Sequence, residues 1–126
     1  MCRKRILIVE DNRSILKMML TIFNLRIKST CCDVEIVPFY SSLACLDYFG
    51  VGYSGVDLVI SDFNIPGMNG SILYKSMLLI DKDLRFVFLS GCVSDIDLEV
   101  SDNLVGIYEK PLYSAIKFVD SMLSLI

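Results

Sequence analysis

The chain has 126 residues, 54% of them apolar and 21% charged, with a formal net charge of −3. That balance excludes a disordered chain, predicts one domain over residues 1–126 with a filled core, and argues against direct nucleic-acid binding. No apolar run is long enough to cross a bilayer, and the opening MCRKRILIVED turns acidic after about five apolar residues, too few for a secretion signal, so a cytoplasmic protein without membrane contact is expected.

Taken in chain order, RILIVE (5–10) is a continuous apolar run suited to a strand covered on both faces. Ile15, Met18, Met19, Ile22 and Phe23 then recur at helical spacing behind Asn12, a helix-capping residue type. VEIVPF reads as a second strand whose proline fits an edge position. Ser41 or Ser42 can cap a helix carrying Leu43, Leu46 and Phe49, which Gly50, Gly52 and Gly55 break. DLVIS is the third strand, SILYKSMLLI the third helix and RFVFLS the fourth strand. Ser94 followed by Asp97 gives a weak capping-box signal for a short acidic fourth helix through about Val100. VGIYE makes a fifth strand. LYSAIKFVDSMLSLI makes a fifth helix, with a core stripe of Ile116, Val119, Leu123 and Ile126 and with Phe118 and Leu125 pointing elsewhere. Strands alternating with helices in this way predict an α/β fold, a doubly wound five-stranded parallel sheet with five helices. No repeat or linker interrupts the chain, so no output domain is expected within it.

In open sheets of this kind ligands bind beyond the carboxyl ends of the strands. The residues there are Glu10 and Asp11 after the first strand, Asp62 after the third, Ser90 after the fourth and Lys110 after the fifth. In a strand order of 2-1-3-4-5 the three carboxylates would share one cleft, which is tolerable only with a proton or a cation among them. The chain has no histidine, and its five cysteines show no Cys-x-x-Cys spacing. Zinc is therefore not expected, the thiols read as reduced and mostly buried, and oxygen ligands favour Mg²⁺. Carboxylates, magnesium, a hydroxyl and a lysine about one point suit phosphoryl transfer.

The motifs VEDN, DLVISDFNIPGMNG, LSG and YEKP, each following its own strand, resemble the receiver domain of two-component response regulators, chemotaxis regulators among them. The likeness covers essentially the whole chain. It implies the flavodoxin-like order 2-1-3-4-5 and a phosphoacceptor signalling module, not a conventional enzyme, in which Asp62 takes a phosphoryl group from a histidine kinase or a histidine phosphotransfer protein. It also implies Mg²⁺ held by Asp11, Asp62 and the Asn64 carbonyl, with Glu10 acting through water. Lys110 would neutralise a phosphoryl oxygen. Ser90 would turn inward and Tyr108 would follow it, changing the face made by the fourth helix, fifth strand and fifth helix, where a homodimer or an output partner would bind. A cis peptide at Lys110-Pro111 belongs to the same picture, and Asn64 and Cys92 stand at positions that tune hydrolysis of the phosphoaspartate. Two other functions compete. One is a pseudo-receiver used only as a binding surface. The other is an aspartyl-phosphate hydrolase, which Asn64 disfavours because it stands where such an enzyme needs a second acid.

Overall fold

The computed structural model describes residues 3–30, 33–51, 55–110 and 114–126. Its elements are β1 (Lys4–Val9), α1 (Arg13–Thr30), β2 (Val34–Phe39), α2 (Ser42–Gly50), β3 (Leu58–Asp62), α3 (Gly70–Ile80), β4 (Phe86–Ser90), a 3-10 turn (Val93–Asp95), β5 (Leu104–Glu109) and α4 (Ala115–Ser124). The strands form one parallel sheet in the order β2-β1-β3-β4-β5. All five residues of β3 and all five of β4 are buried, as expected of strands covered on both faces.

Alternation along the strands sends side chains into two apolar layers. Leu7, Val9, Val59, Phe86 and Phe88 pack with residues of α2 and α3. Ile6, Ile8, Leu58, Ile60, Val87 and Leu89 pack instead with Leu16, Met19 and Phe23 of α1 and with Phe118, Val119 and Met122 of α4. Helix starts are fixed by side-chain caps. Asn12 Oδ1 accepts from the Ile15 amide at 3.0 Å, Ser41 Oγ from the Ala44 amide at 3.1 Å and Asn69 Oδ1 from the Ile72 amide at 3.0 Å. Pro38 is exposed on the edge strand β2, where its missing amide hydrogen is tolerated.

Three expectations need correction. Five helices were expected, whereas the described residues hold four α-helices and the short 3-10 turn. Beyond that turn Ile96 is buried and Leu98 half-buried against the layer of α2 and α3, while Asp97 and Glu99 are exposed. Burial at every second residue is the pattern of extended backbone, and a helix would turn residues two apart to different sides. The stripe of the last helix is also rotated. Phe118, Val119 and Met122 are buried and Ile116 is exposed, so Phe118 belongs to the core. Met18 and Leu43 likewise face outward, and Leu16 and Cys45 take the core positions of their helices.

Among the described cysteines, Cys45 is buried and Cys92 exposed, both as free thiols. Burial pushes the Cys45 thiol up to about 12, which keeps it protonated and inert. Cys2, Cys31, Cys32, Gly52 and Pro111 lie outside the described residues, and so does the expectation of a cis peptide at Lys110-Pro111. No helix among the described residues is long and apolar enough to cross a membrane.

Candidate functional site

The carboxyl ends of β1 and β3, which are neighbours, bring Glu10, Asp11 and Asp62 together. One carboxylate oxygen from each lies within 4.8 Å of the others. Asp11 is exposed, Asp62 is buried as the last residue of β3, and Glu10 has only 1% of its surface exposed. Local chemistry explains why the acids stop here. The apolar runs before them fill the sheet, and the Glu10 amide still donates to the Phe39 carbonyl at 3.0 Å, so the backbone holds its strand course to the rim.

Lys110, just beyond β5, reaches across this rim. Its Nζ donates to Glu10 Oε1 at 2.6 Å and to Asp62 Oδ2 at 3.0 Å. The Lys110 amide donates to the Ser90 carbonyl at 2.7 Å, which anchors the lysine to the end of β4. Burial pushes the Glu10 carboxyl up to about 7; the Lys110 hydrogen bond opposes that rise, and the neighbouring Asp62 adds to it. For Lys110, burial alone would lower the ammonium, but the hydrogen bonds and charges of Glu10 and Asp62 together outweigh it and hold the group above its ordinary value. Lys110 thus bridges two of the three acids.

The second oxygen of Glu10 is buried and has no hydrogen-bond partner. A buried carboxylate oxygen left in this way is costly unless a proton, a water or a cation meets it. With Asp11 and Asp62 alongside, the donor set is made of oxygens, the kind of site that Mg²⁺ takes. The residues present therefore fit that ion. Asn64 lies exposed two residues after Asp62, in the loop leading to α3.

Ser90 is fully buried at the end of β4. Its hydroxyl donates to the Cys92 carbonyl at 3.0 Å and accepts from the Cys92 amide at 3.1 Å, so it is held within its own turn. Tyr108 does not stand beside it. Register pairs Ser90 with Glu109 and Tyr108 with Leu89, and the Tyr108 ring packs edge-on against Phe118 of α4, with ring centroids 5.0 Å apart. Tyr108 thus belongs to the layer of α1 and α4, whereas Phe88, two residues before Ser90 on the same strand, faces the other layer. In this conformation the Tyr108 ring is packed in the layer opposite the one that Phe88 faces, away from the turn that holds Ser90. Ile107, paired with Phe88, is the β5 residue on the layer of Phe88. Gly106 completes the seat of Tyr108, since a Cβ there would stand 2.8 Å from the Tyr108 ring.

Two residues of this region escaped the reading of the sequence. Ser61 is fully buried and donates its hydroxyl to the Asp62 carbonyl at 2.8 Å, and Gly70 begins α3 against the same stretch of backbone. A polar residue inside an otherwise apolar strand was the available signal for Ser61. Nothing local marked Gly70 beyond its place at a helix start.

Comparison with known proteins agrees with this geometry. A family model described as "Response regulator receiver domain" matches residues 6–111. The C4-dicarboxylate transport transcriptional regulatory protein DctD of Rhizobium meliloti (strain 1021) is 28% identical over 104 residues, 82% of this chain. The chain spans only 21% of that relative's length. Among solved structures, a response regulator receiver domain protein from Clostridium thermocellum superposes with a TM-score of 0.80 at 19% identity, covering 98% of this chain and 94% of the other. Response regulator protein TrrA from Thermotoga maritima, solved in complex with Mg(2+)-BeF, gives 0.76 at 22% identity, with 98% and 99% covered. At such identities these structures show a shared fold.

Proposed function

The chain belongs to the response regulator receiver domain family, and from that premise we propose that Asp62 accepts a phosphoryl group from a phosphohistidine of a histidine kinase or a histidine phosphotransfer protein. The observation that carries this reading is the convergence of Lys110 Nζ on Asp62, 3.0 Å away, inside a cluster of three acids whose most buried member keeps an oxygen without a partner. A carboxylate oxygen of Asp62 attacks phosphorus, the bond from phosphorus to the donor nitrogen breaks, and an acyl phosphate remains. Lys110 holds a phosphoryl oxygen as a compact point charge.

Asp11, Asp62 and the Asn64 carbonyl would hold Mg²⁺, with Glu10 reaching it through a water. When bound, the ion offsets the acids and the incoming phosphoryl oxygens. Ser90 leaves its turn to hydrogen-bond the phosphoryl group, and the segment after β4 moves with it. A partner, or a second copy, then reads the face made by that segment, β5 and α4. The chain acts as a signalling module that catalyses its own modification and, by water attack, its reversal.

The test is incubation with Mg²⁺ and a small acyl-phosphate donor, followed by intact mass and peptide mapping. One phosphoryl group on Asp62 is expected, none on Asp62→Asn and none in excess chelator. An unmodified wild-type chain would favour the pseudo-receiver alternative, in which the fold serves only as a binding surface. Turnover of a panel of phosphate esters would favour the hydrolase.

A further inference from the structure

Asp62 stands where the sheet ends, and a nucleophile at a strand end needs its backbone fixed by something other than the strand ladder. One bond continues past it, from the Phe63 amide to the Leu89 carbonyl at 2.8 Å. From there the chain enters the loop that carries Asn64. Two further features bear on the Asp62 carbonyl oxygen, one a hydrogen bond to it and the other a close approach that leaves no room for a side chain. From inside the sheet, Ser61 lies between Val9 and Phe88 in register and donates its hydroxyl to that oxygen at 2.8 Å. A buried hydroxyl among apolar neighbours gains nothing in packing over an alanine and is costly unless bonded. Among the described residues, its hydroxyl is bonded to the peptide of the acceptor.

From outside, α3 begins directly on the same peptide. The Gly70 amide donates to the Phe63 carbonyl at 2.7 Å. A Cβ on Gly70 would stand 2.9 Å from Phe63 Cα, 3.0 Å from the Asp62 carbonyl oxygen and 2.8 Å from Cε1 of Phe88. Two of these three neighbours are backbone and cannot swing aside. Asn69, capping the helix through the Ile72 amide, fixes the first turn in that place.

We infer that Ser61 and Gly70 form a two-sided clamp on the Asp62 peptide and are positioning residues for phosphoryl acceptance, an inference that rests on the reading of Asp62 as the acceptor. Ser61 holds the carbonyl from within, and the missing side chain of Gly70 lets α3 close over it. Any Cβ at position 70 must displace either the first turn of α3 or the peptide that aims the nucleophile. Since a misplacement of about 1 Å can cost a reaction roughly a hundredfold, a shift of a few tenths of an ångström in Gly70→Ala should lower the maximal rate by about tenfold.

The experiment follows phosphorylation of the full chain by acetyl phosphate in saturating Mg²⁺, as initial rate against donor concentration, with the final amount of phosphate per chain recorded. The clamp predicts a lower maximal rate for Gly70→Ala and a smaller loss for Ser61→Ala. It also predicts a half-saturating donor concentration within about twofold of wild type and full final stoichiometry, because the pocket persists while its aim is lost. Reduced stoichiometry with an unchanged rate constant would mean simple partial unfolding and would overturn the proposal. Adding Phe88→Leu to Gly70→Ala removes one of the three contacts and should leave the rate low; full recovery would assign the effect to the ring and overturn the clamp. If Gly70→Ala does not fold, Ser61→Ala decides alone, since it adds no bulk, and an unchanged maximal rate in it overturns the inference. A wild-type chain that takes no phosphate on Asp62 refutes the underlying reading as well, an outcome separate from every result on the variants.

Discussion

Lys110 lies closer to Glu10 than to Asp62, 2.6 Å against 3.0 Å, across a sequence separation of 100 residues. The ammonium therefore holds the place beside the acids that a divalent cation would contest. The ammonium is charged, so each contact is of the stronger kind of hydrogen bond.

Competition of this sort separates metal affinity from reactivity. Lys110→Ala should bind Mg²⁺ more tightly, by about three- to tenfold, because one cation no longer opposes the other. The same variant should accept phosphate far more slowly, because nothing then neutralises the phosphoryl oxygen. Magnesium titration followed by amide NMR, beside phosphorylation kinetics, checks both signs. Weaker magnesium binding in Lys110→Ala would show that the lysine supports the metal site and does not compete with it.

Glu10 gives stability a pH dependence whose sign follows from its surroundings. Its folded value is raised to about 7 from an ordinary 4.5, so the native state binds the extra proton between those values. The favourable contribution is complete below about 4.5 and is lost as pH rises through about 7. Without metal, wild type should lose on the order of 2–3 kcal/mol relative to Glu10→Gln between pH 5 and pH 8, at about 1.4 kcal/mol per pH unit. Urea unfolding at four pH values in chelator is the measurement. Equal slopes in the two proteins would place the proton elsewhere.

Ser90 has to break two hydrogen bonds to Cys92 before it can reach a phosphoryl group. Ser90→Ala should still accept phosphate at Asp62 but lose the amide shifts that beryllofluoride induces over residues 91–98. A charge-assisted bond of roughly 1.5–3 kcal/mol, enough to shift a two-state equilibrium about ten- to a hundredfold, is then missing. Tyr108→Phe should leave those shifts and the phosphorylation rate unchanged, because the ring packs on Phe118 in the other layer. Shifts abolished by Tyr108→Phe would restore the tyrosine to the switch.

The extended course after the 3-10 turn can be tested through packing. Ile96→Ala should cost about 2 kcal/mol as a buried aliphatic truncation. Asp97→Ala and Glu99→Ala, both at exposed positions, should change stability by less than about 0.5 kcal/mol. Backbone chemical shifts of residues 96–100 should read as extended. Helical shifts there, with a large loss in Glu99→Ala, would contradict the alternation.

The parts of this protein visible in its sequence are those governed by continuous patterns. ILIV and LVIS bury side chains on both faces and announce central strands, and the acids placed just behind them announce the rim. The segment after β4 misled because Ser94 and Asp97 mimic a helix start, while Ile96 and Leu98, two apart, carry the opposite instruction. The role of Tyr108 came from the resemblance alone, and its layer depends on strand register, where one step along a strand changes the face. Gly70 could not be read at all, because its role depends on Phe63, Asp62 and Phe88 converging within about 3 Å.

The placement of Pro38 bears on how the folded protein avoids its own kind. In β2 the Asp33 and Phe39 carbonyls point to β1, so by alternation Val34, Ile36 and Pro38 present their backbone groups outward. An arriving strand would need donors from that row, and proline removes one of them. The apolar edge nearest the first strand is thereby denied an unbroken template for intermolecular strand addition, a protection against aggregation written into one residue.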